Sequence, residues 1–358
     1  MTVQATTRVF RPEFKAAAVK AATVLSLGIL FAASAGRPAS ADAVADFYKG
    51  RTVDLIVGFS TGGGYDVYAR LVGRHIGKHI PGNPTVVVKN MEGAGSMRLA
   101  NWLYAVAPKD GSVFGSFARG VPLDPLFGNP GPQFKDGSKF SFIGSANDEV
   151  SICGASRKAG IGSFDDLLKK ELVVGGFGAG TESEQHVKLL NVALNTKLKL
   201  VKGYPGGNDV NLAMERGEVQ GRCGWSWTGV RAQYMDRVKD GSLVVLVQNS
   251  LAKHADLPDV PLIMDLAKGE DEKQMLRLVL GPQKMGRPFM GPPDLPADRL
   301  AALRRAFEQT MKDPDFLREA EKSQLEISPI GGDEMEKIIA DAYKTSPDLV
   351  KRTAEAIK

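Results

Sequence analysis

Short apolar runs alternate with glycine-rich loops and amphipathic segments along the chain from residue 51 onward. The first run is rich in β-branched residues and predicts a strand, and the segment after its loop places Val67, Leu71 and Ile76 at helical spacing. The alternation repeats, which is typical of a mostly parallel sheet covered by helices on both faces. In this part of the chain we predict strands at 52–58, 85–88, 112–118 and 140–144 and helices at 66–80 and 96–105.

A second run of the same kind begins near residue 150 and predicts a second α/β domain. Ser163 precedes Asp165 and Asp166, an arrangement typical of a helix start. The last helical segments follow no new glycine loop, so we expect them to form a covering layer that returns to the first domain. The predicted strands here are 172–175, 198–201, 219–223 and 243–247, and the helices are 182–194, 297–312, 315–322 and 333–343.

Two glycine-rich loops, 58–66 and 175–183, each join the end of a predicted parallel strand to the start of a helix. Unpaired backbone N–H groups and the helix dipole attract an anion there, and glycine lets a ligand approach the backbone. One such loop can be a simple tight turn, whereas two indicate two surfaces that face a common crevice. A dinucleotide site is disfavoured because GFSTGGGYD does not match GxGxxG and no GK[ST] motif occurs.

The charge distribution argues against a nucleic-acid or membrane-surface partner. The chain has 46 Lys and Arg against 41 Asp and Glu, but five of the basic residues and only one acid lie in the first 41 residues. The remainder is close to neutral and contains no basic run. We therefore expect no nucleic-acid binding and no polybasic membrane patch.

The first 41 residues have the order of a secretory signal. A basic region precedes fifteen uncharged residues at 21–35, and Ala39, Ser40 and Ala41 supply small residues for cleavage. A membrane anchor is the alternative, but the uncharged run is shorter than the roughly 20 residues that span a bilayer. The sequence thus predicts export by the general secretory route and a mature chain that begins at Asp42.

Neither the cysteines nor the histidines form a recognised metal motif. Cys153 and Cys223 lie in apolar strand-like stretches, where buried free thiols are favoured over a single disulfide. His75 and His79 are four apart on a predicted helix, but Ile76 stands where HExxH has its glutamate. We expect these histidines to be polar residues facing solvent, and we predict no metal and no cofactor.

Several motifs together resemble the tripartite tricarboxylate transporter receptors, the Bug-type extracytoplasmic solute receptors. The resemblance covers nearly all of residues 48 to 345, and the combination of motifs is more specific than any one of them. They are GFSTGGGYD at 58–66, AR at 69–70, VVVKN at 86–90, GAG at 93–95, PKDG at 108–111, GAGTES at 178–183, GYPGG at 203–207 and LPDVP at 257–261.

The resemblance implies a two-domain clamshell that captures a small organic carboxylate in the periplasm and presents it to a membrane permease. It also implies that the chain crosses twice between domains, with 42–149 and 272–358 in domain one and 150–271 in domain two. We expect the receptor to be a monomer. One ligand carboxylate would rest on the first loop, partly through ordered water, while domain two closes over the other end.

The residues predicted to contact the ligand come from both glycine loops, the GYPGG turn and two further strand ends. They are Phe59, Ser60, Thr61, Gly62, Gly63, Gly64, Tyr65, Asp66, Arg119, Asn147, Gly180, Thr181, Ser183, Tyr204 and Gly206.

The chain departs from the family pattern at positions that bear on the ligand. Ser60 stands where many relatives have Pro, and Glu184 stands where they have His, two residues after Glu182. Both acids are favoured as partners of the helix dipole. The alternative is that a carboxylate faces the cleft, repels a second anionic group and selects a ligand whose far end is an amide, a hydroxyl or a cation.

Further polar and aromatic residues stand near predicted strand ends. Arg119 and Arg222 would reverse the sign of such a cleft if they pointed into it, and surface or interdomain roles are favoured for Arg222. Asn147 is another polar candidate. Trp225 and Trp227 are candidates to wall the cleft, and core packing is favoured for at least one of them.

A secreted α/β enzyme, a hydrolase or transferase acting on a small anionic substrate, is the rival interpretation. The chain lacks GxSxG, and none of its four histidines belongs to a recognised local Ser or Cys motif. Solute binding without chemistry is therefore the favoured function.

Overall fold

Two separate β-sheets, each flanked by helices, organise the chain in a computed structural model that describes residues 1–2, 39–178 and 180–357. The predicted α/β class with two helix-covered sheets is confirmed. The predicted signal segment lies almost entirely outside the described residues. Among the helices that are described, none is both long enough and apolar enough to cross a membrane.

Eleven strands run through the described residues. They are β1 (Thr52–Val57), β2 (Thr85–Asn90), β3 (Val113–Ser116), β4 (Ser141–Ser145), β5 (Ser151–Ser156), β6 (Leu172–Gly175), β7 (Leu198–Val201), β8 (Gly221–Ser226), β9 (Leu243–Asn249), β10 (Pro288–Gly291) and β11 (Ile330–Gly331).

Fourteen α-helices accompany them in the same part of the chain. They are α1 (Ala39–Tyr48), α2 (Gly64–Ile76), α3 (Met97–Ala105), α4 (Phe164–Leu167), α5 (Glu182–Leu194), α6 (Gly207–Arg216), α7 (Trp227–Gln233), α8 (Met235–Lys239), α9 (Ile263–Leu266), α10 (Glu270–Leu280), α11 (Ala297–Thr310), α12 (Pro314–Lys322), α13 (Gly332–Tyr343) and α14 (Pro347–Ala356).

Both sheets are mixed. Sheet A has the order β11-β4-β10-β3-β1-β2 and sheet B the order β7-β6-β8-β5-β9. The pairs β2-β1-β3 and β7-β6-β8 are parallel, as the strand-helix alternation predicts, because a helix must return the chain to the same sheet edge. Antiparallel pairing comes from β10 and β11 in sheet A, which the sequence did not predict, and from β5 in sheet B, which the sequence indicated only as a strand-like stretch around Cys153.

The strands of the two sheets come from different parts of the chain. Sheet A takes its strands from 52–145 and 288–331, and sheet B takes its strands from 151–249. The domain boundaries at 149/150 and 271/272 stay predictions, and the second falls within the first turn of α10.

Helix α11 packs closely on sheet A through Phe307. A Cβ atom added to Gly144 of β4 would overlap the Phe307 ring, so only glycine allows this approach. Phe289 of β10 lies beside the same ring, with centroids 5.7 Å apart, and both side chains are fully buried. The C-terminal helices therefore cover the first sheet, as expected from their sequence.

Cys153 and Cys223 form a disulfide between the adjacent strands β5 and β8. The preference for free thiols was wrong. Both residues do lie in apolar buried strands, as predicted, but the register of an antiparallel pair, which local sequence does not reveal, brings their side chains together.

Replacing both cysteines with Ala should lower the free energy of unfolding by about 2–4 kcal/mol, because the bond closes a long loop whose ends are 70 residues apart. Urea unfolding of the oxidised wild type and of the variant measures the difference. A reducing agent should destabilise the wild type alone. Equal stability of the two oxidised proteins would contradict the prediction.

Candidate binding site between the two sheets

A cavity of ≈ 60 Å³ lies where loops from sheet A and sheet B meet. The α2 start and the loop after β1 line one side, and α6, α7 and the end of β8 line the other. Two larger grooves, ≈ 610 and ≈ 720 Å³, lie at the surface and are lined mainly by exposed or half-buried side chains. The first of these shares Ala232, Gln233 and Leu325 with the cavity and so adjoins it.

Four residues of the first glycine loop line this cavity: Phe59, Gly63, Gly64 and Tyr65. Gly63 precedes α2 in extended conformation, and no side chain caps the N–H groups of the first helical turn. The Phe59 and Tyr65 rings stack at 4.7 Å, and Phe59 also meets Phe177 of the opposite loop at 5.3 Å. The loop thus presents uncapped backbone donors and an aromatic wall, which suits a small anion with an apolar body.

Asp66 stabilises the first glycine loop from outside the cavity lining. Its carboxylate accepts hydrogen bonds from Gly62 N, Arg70 Nε and Asn90 Nδ2 at 2.8–2.9 Å. Burial alone would raise the pKa of Asp66, but these donors lower it, so the group is ionised at neutral pH. Asp66 lies outside the cavity lining, and the Gly62 N–H that it binds is not free for a ligand.

Ser60 joins the two sides of the crevice. Its hydroxyl donates to Asp209 Oδ2 at 2.7 Å, and its backbone N–H donates to the Pro205 carbonyl at 3.4 Å. Gly206 lies so close that an added Cβ would overlap Ser60 Oγ. The glycine loop of sheet A and the GYPGG turn of sheet B are therefore in direct contact, while Thr61 beside them is exposed to solvent.

The second glycine loop uses its hydroxyl groups internally. Thr181 Oγ1 donates to the Gly178 carbonyl at 2.5 Å and lies 3.0 Å from Ser183 Oγ, which accepts from Phe177 N. Gly180 lies against the Asp124 carboxylate. None of Gly180, Thr181 and Ser183 lines the cavity, and the same holds for the half-buried Tyr204. Their contacts position the start of α5.

Glu182, the first residue of α5, lines the cavity together with Phe177 of the same loop. Its Oε1 lies 3.8 Å from Arg119 Nη2, and its Oε2 has no hydrogen-bond partner among the described residues. Glu184 points elsewhere, to Lys188 and Lys202 at 2.6 and 3.1 Å. The sequence did not show which of these two acids faces the cleft, and the structure gives them different surroundings.

Two arginines line the cavity from opposite sides. Arg222 of β8 is 8% exposed and donates from Nη1 to Asn211 Oδ1 and to the Gly207 carbonyl, each at 3.2 Å. Burial lowers the pKa of Arg222 to about 10, which leaves it charged at neutral pH. Arg287 is 2% exposed and forms an ion pair with Glu149 at 2.9 Å.

Arg119 and Asn147 lie behind the cavity lining. Arg119 donates to the Gly286 carbonyl at 3.3 Å and to Ser151 Oγ at 2.9 Å, so it connects sheet A with β5 of sheet B. Asn147 donates from Nδ2 to Glu149 Oε2 at 3.3 Å. Both side chains are buried and support groups nearer the cavity.

The two tryptophans have different roles. Trp225 lines the cavity, and its ring lies 5.3 Å from the Arg222 guanidinium carbon. Trp227 is buried in a small apolar cluster beside sheet B, and its Nε1 donates to Asp256 at 3.2 Å. This difference matches the open alternative in which only one of them walls the cleft.

The predicted ligand contacts left out several residues that line the cavity: Tyr68, Asn208, Asn211 and Arg287 were not considered, and Glu182, Arg222 and Trp225 were only open alternatives. A signal was present for the two arginines. Each is a lone cation next to a glycine within an apolar strand-like stretch, GRCGWS and GRPFMG. A buried position for such a side chain costs several kcal/mol unless polar partners surround it, which marks both as candidates for a polar site.

Within the described residues, no group of three or more His, Cys, Asp or Glu side chains is placed to hold a metal ion. His75 and His79 bind carboxylates of the C-terminal helical region, Glu319 and Asp313, at 2.7 and 2.8 Å. They pack the end of α2 against α12, so the expectation that both simply face solvent was wrong.

Comparison with known proteins finds similarity in structure alone. No family model and no curated protein matches the chain. The periplasmic binding protein BugD is 20% identical with a TM-score of 0.66, over 86% of this chain and 98% of that one. MatC from Rhodopseudomonas palustris with bound malate is 20% identical with a TM-score of 0.64, over 86% and 99%. An R. palustris protein with adipate is 17% identical with a TM-score of 0.64, over 85% and 97%. At these identities the likeness shows the fold, and the predicted resemblance to Bug-type solute-binding proteins is confirmed at that level.

Proposed function

We propose that this chain is an extracytoplasmic solute-binding receptor that captures a small organic carboxylate between its two α/β halves. The observation that carries the proposal is the cavity between the two sheets, which both Arg222 and the uncapped start of α2 line. A guanidinium and backbone N–H groups are the donors that bind carboxylates best. Neighbours of the same fold were solved with malate and with adipate, which supports this ligand class.

We propose that Phe59, Gly63, Gly64 and Tyr65 contact the ligand directly, and that Ser60, Thr181 and Ser183 stabilise the closed arrangement. The segments near 149 and 271 would act as hinges between domain one and domain two. Delivery to a tripartite tricarboxylate-type permease, a periplasmic location, cleavage near Ala41 and a monomeric state complete the proposal. The disulfide is compatible with an oxidising compartment.

The proposed receptor performs no chemistry on its ligand. His75, His79, His186 and His254 all lie outside the cavity lining, so no imidazole base stands beside a bound carboxylate. This arrangement favours a binder over the rival hydrolase or transferase.

A thermal-shift screen of the full chain against small carboxylates tests the proposal. A ligand at 100 times its dissociation constant should stabilise the folded state by about 2.7 kcal/mol. Proton NMR of the recovered ligand should show it unchanged, whereas an enzyme would release a product. Absence of saturable binding across the whole carboxylate library would overturn the proposed function.

Replacing Ser60 with Ala should weaken ligand binding by about two- to tenfold, because the closed form loses the hydrogen bond to Asp209. Calorimetry with a ligand found in the screen measures the change. Thr85→Ala, which removes an exposed hydroxyl outside both glycine loops, is the control and should bind like the wild type. Equal affinity of the Ser60→Ala variant would show that this contact does not stabilise closure.

A further inference from the structure

Arg222 carries a positive charge that no acid in the described part of the chain pairs with within 4.0 Å. Its Nη1 is held by two neutral acceptors, Asn211 and Gly207, and its Nε has no partner there. The Phe177 and Trp225 ring centroids each lie 5.3 Å from the guanidinium carbon. These contacts orient the side chain without neutralising it, so it remains available to an anion.

The other buried charges around the cavity are already paired. Arg287 binds Glu149 at 2.9 Å, and Arg119 lies 3.8 Å from Glu182. The whole group of three guanidinium groups and two carboxylates therefore carries a net charge of +1. One anionic group on a ligand balances it, and a second would be in excess.

Glu182 determines what the second ligand group can be. Its side chain is 8% exposed, lines the cavity and has an Oε2 without a partner among the described residues. A carboxylate accepts hydrogen bonds and donates none when ionised. It therefore repels a second ligand carboxylate and favours a hydroxyl or N–H group in the same place.

The size of the cavity limits the ligand. A water-sized probe needs roughly 10–15 Å³ of such space. At ≈ 60 Å³ the cavity holds a ligand of about four to six non-hydrogen atoms in the closed form.

Resting on the proposed receptor function, we infer that the ligand is a small monocarboxylate with a hydrogen-bond donor at its far end, anchored by Arg222 and selected against dicarboxylates by Glu182. This specificity differs from that of the neighbours solved with malate and adipate, both of which are dicarboxylates.

Two matched sets of probes separate the far-end groups at constant chain length. Acetate, glycolate and oxalate share two carbons, and propionate, 3-hydroxypropionate and malonate share three. Calorimetry on the full chain should show that the hydroxy acid binds most tightly within a set. The dicarboxylate should bind at least tenfold more weakly than the hydroxy acid, because its second charge meets Glu182.

Two variants assign the roles. Arg222→Gln should weaken hydroxy acid binding about ten- to hundredfold, since it removes a charge-assisted contact. Glu182→Gln should abolish the discrimination against oxalate and malonate. The matched control for Arg222 is Arg216→Gln, which changes an exposed cation of the same region. The matched control for Glu182 is Glu184→Gln, which changes a buried acid two residues further along α5 whose partners are lysines. Both controls should retain the wild-type order of affinities.

The outcomes distinguish this inference from the proposed function. Tight binding of oxalate or malonate by the wild type, or unchanged hydroxy acid affinity in a folded Arg222→Gln variant, would overturn the inference and leave a carboxylate receptor. Circular dichroism and urea unfolding establish that each variant is folded. Failure of every carboxylate in the library and in both sets would overturn the receptor function, and the inference with it.

Discussion

A Glu149→Gln variant is expected to lose about 3–5 kcal/mol of unfolding free energy, because it leaves the buried Arg287 cation without its carboxylate. The side chains of both partners are almost completely inaccessible, at 0% and 3% exposure. Glu149 Oε2 also accepts from Ser226 Oγ at 2.7 Å, so the acid connects Arg287 on sheet A with β8 of sheet B. Urea unfolding at pH 7 measures the loss.

The matched control for this pair is Asp271→Asn, which breaks an exposed ion pair with Arg352. It should cost less than about 1 kcal/mol, because water screens surface pairs. The double variant Glu149→Leu, Arg287→Met should recover much of the stability, since no unpaired charge remains buried. A loss below 1 kcal/mol in Glu149→Gln would show that solvent reaches Arg287.

An Asp124→Asn variant is expected to be more stable than the wild type at pH 8, by on the order of 3–4 kcal/mol. Asp124 is fully buried where the chain after β3 meets Gly180. Its Oδ1 accepts from Asn129 at 2.7 Å, and its Oδ2 has no partner among the described residues. Burial, against the opposing effect of the Asn129 hydrogen bond and with a contribution from the nearby Glu184, raises the pKa of Asp124 to about 7.

The sign of the pH dependence follows from these values. Between about pH 4 and pH 7 the unfolded chain has released this proton while the folded chain still holds it, so the wild type loses stability as the pH rises through that window. The difference between variant and wild type should therefore grow from near zero at pH 4 to its full size above pH 7. Urea unfolding at pH 4, 6 and 8 measures it, with the exposed Asp259→Asn as control. A stability difference between variant and wild type that is the same at all three pH values would contradict the prediction.

The glycine loop of the site could be predicted from the sequence, but the side chains that distant segments bring to the cavity could not. The glycine loop at 58–66 was identified because a strand, a glycine run and a helix follow one another locally, and Phe59, Gly63, Gly64 and Tyr65 do line the cavity. Arg287 could not be placed the same way, because its approach to Tyr65 depends on β10 entering sheet A antiparallel, more than 200 residues later in the chain.

Glu182 and Glu184 illustrate the same limit at a single helix start. Both are acids in the first turn of α5, and helix-dipole arguments treat them alike. Two residues along a helix turn the side chain to a different face, so one lines the cavity while the other binds two lysines. Only the packing of α5 against sheet B decides which face meets the crevice.

The sequence by itself determined the α/β class, the two parallel cores β2-β1-β3 and β7-β6-β8, and the helix starts that follow the glycine loops. These features depend on short-range periodicity and on residues adjacent in the chain. The tertiary structure alone decided the Cys153–Cys223 disulfide, the antiparallel strands and the pairing of Arg287 with Glu149 and of Arg119 with Glu182. Each of these depends on a register or a contact between distant segments, which is selected by the free energy of packing the whole core and not by the local sequence.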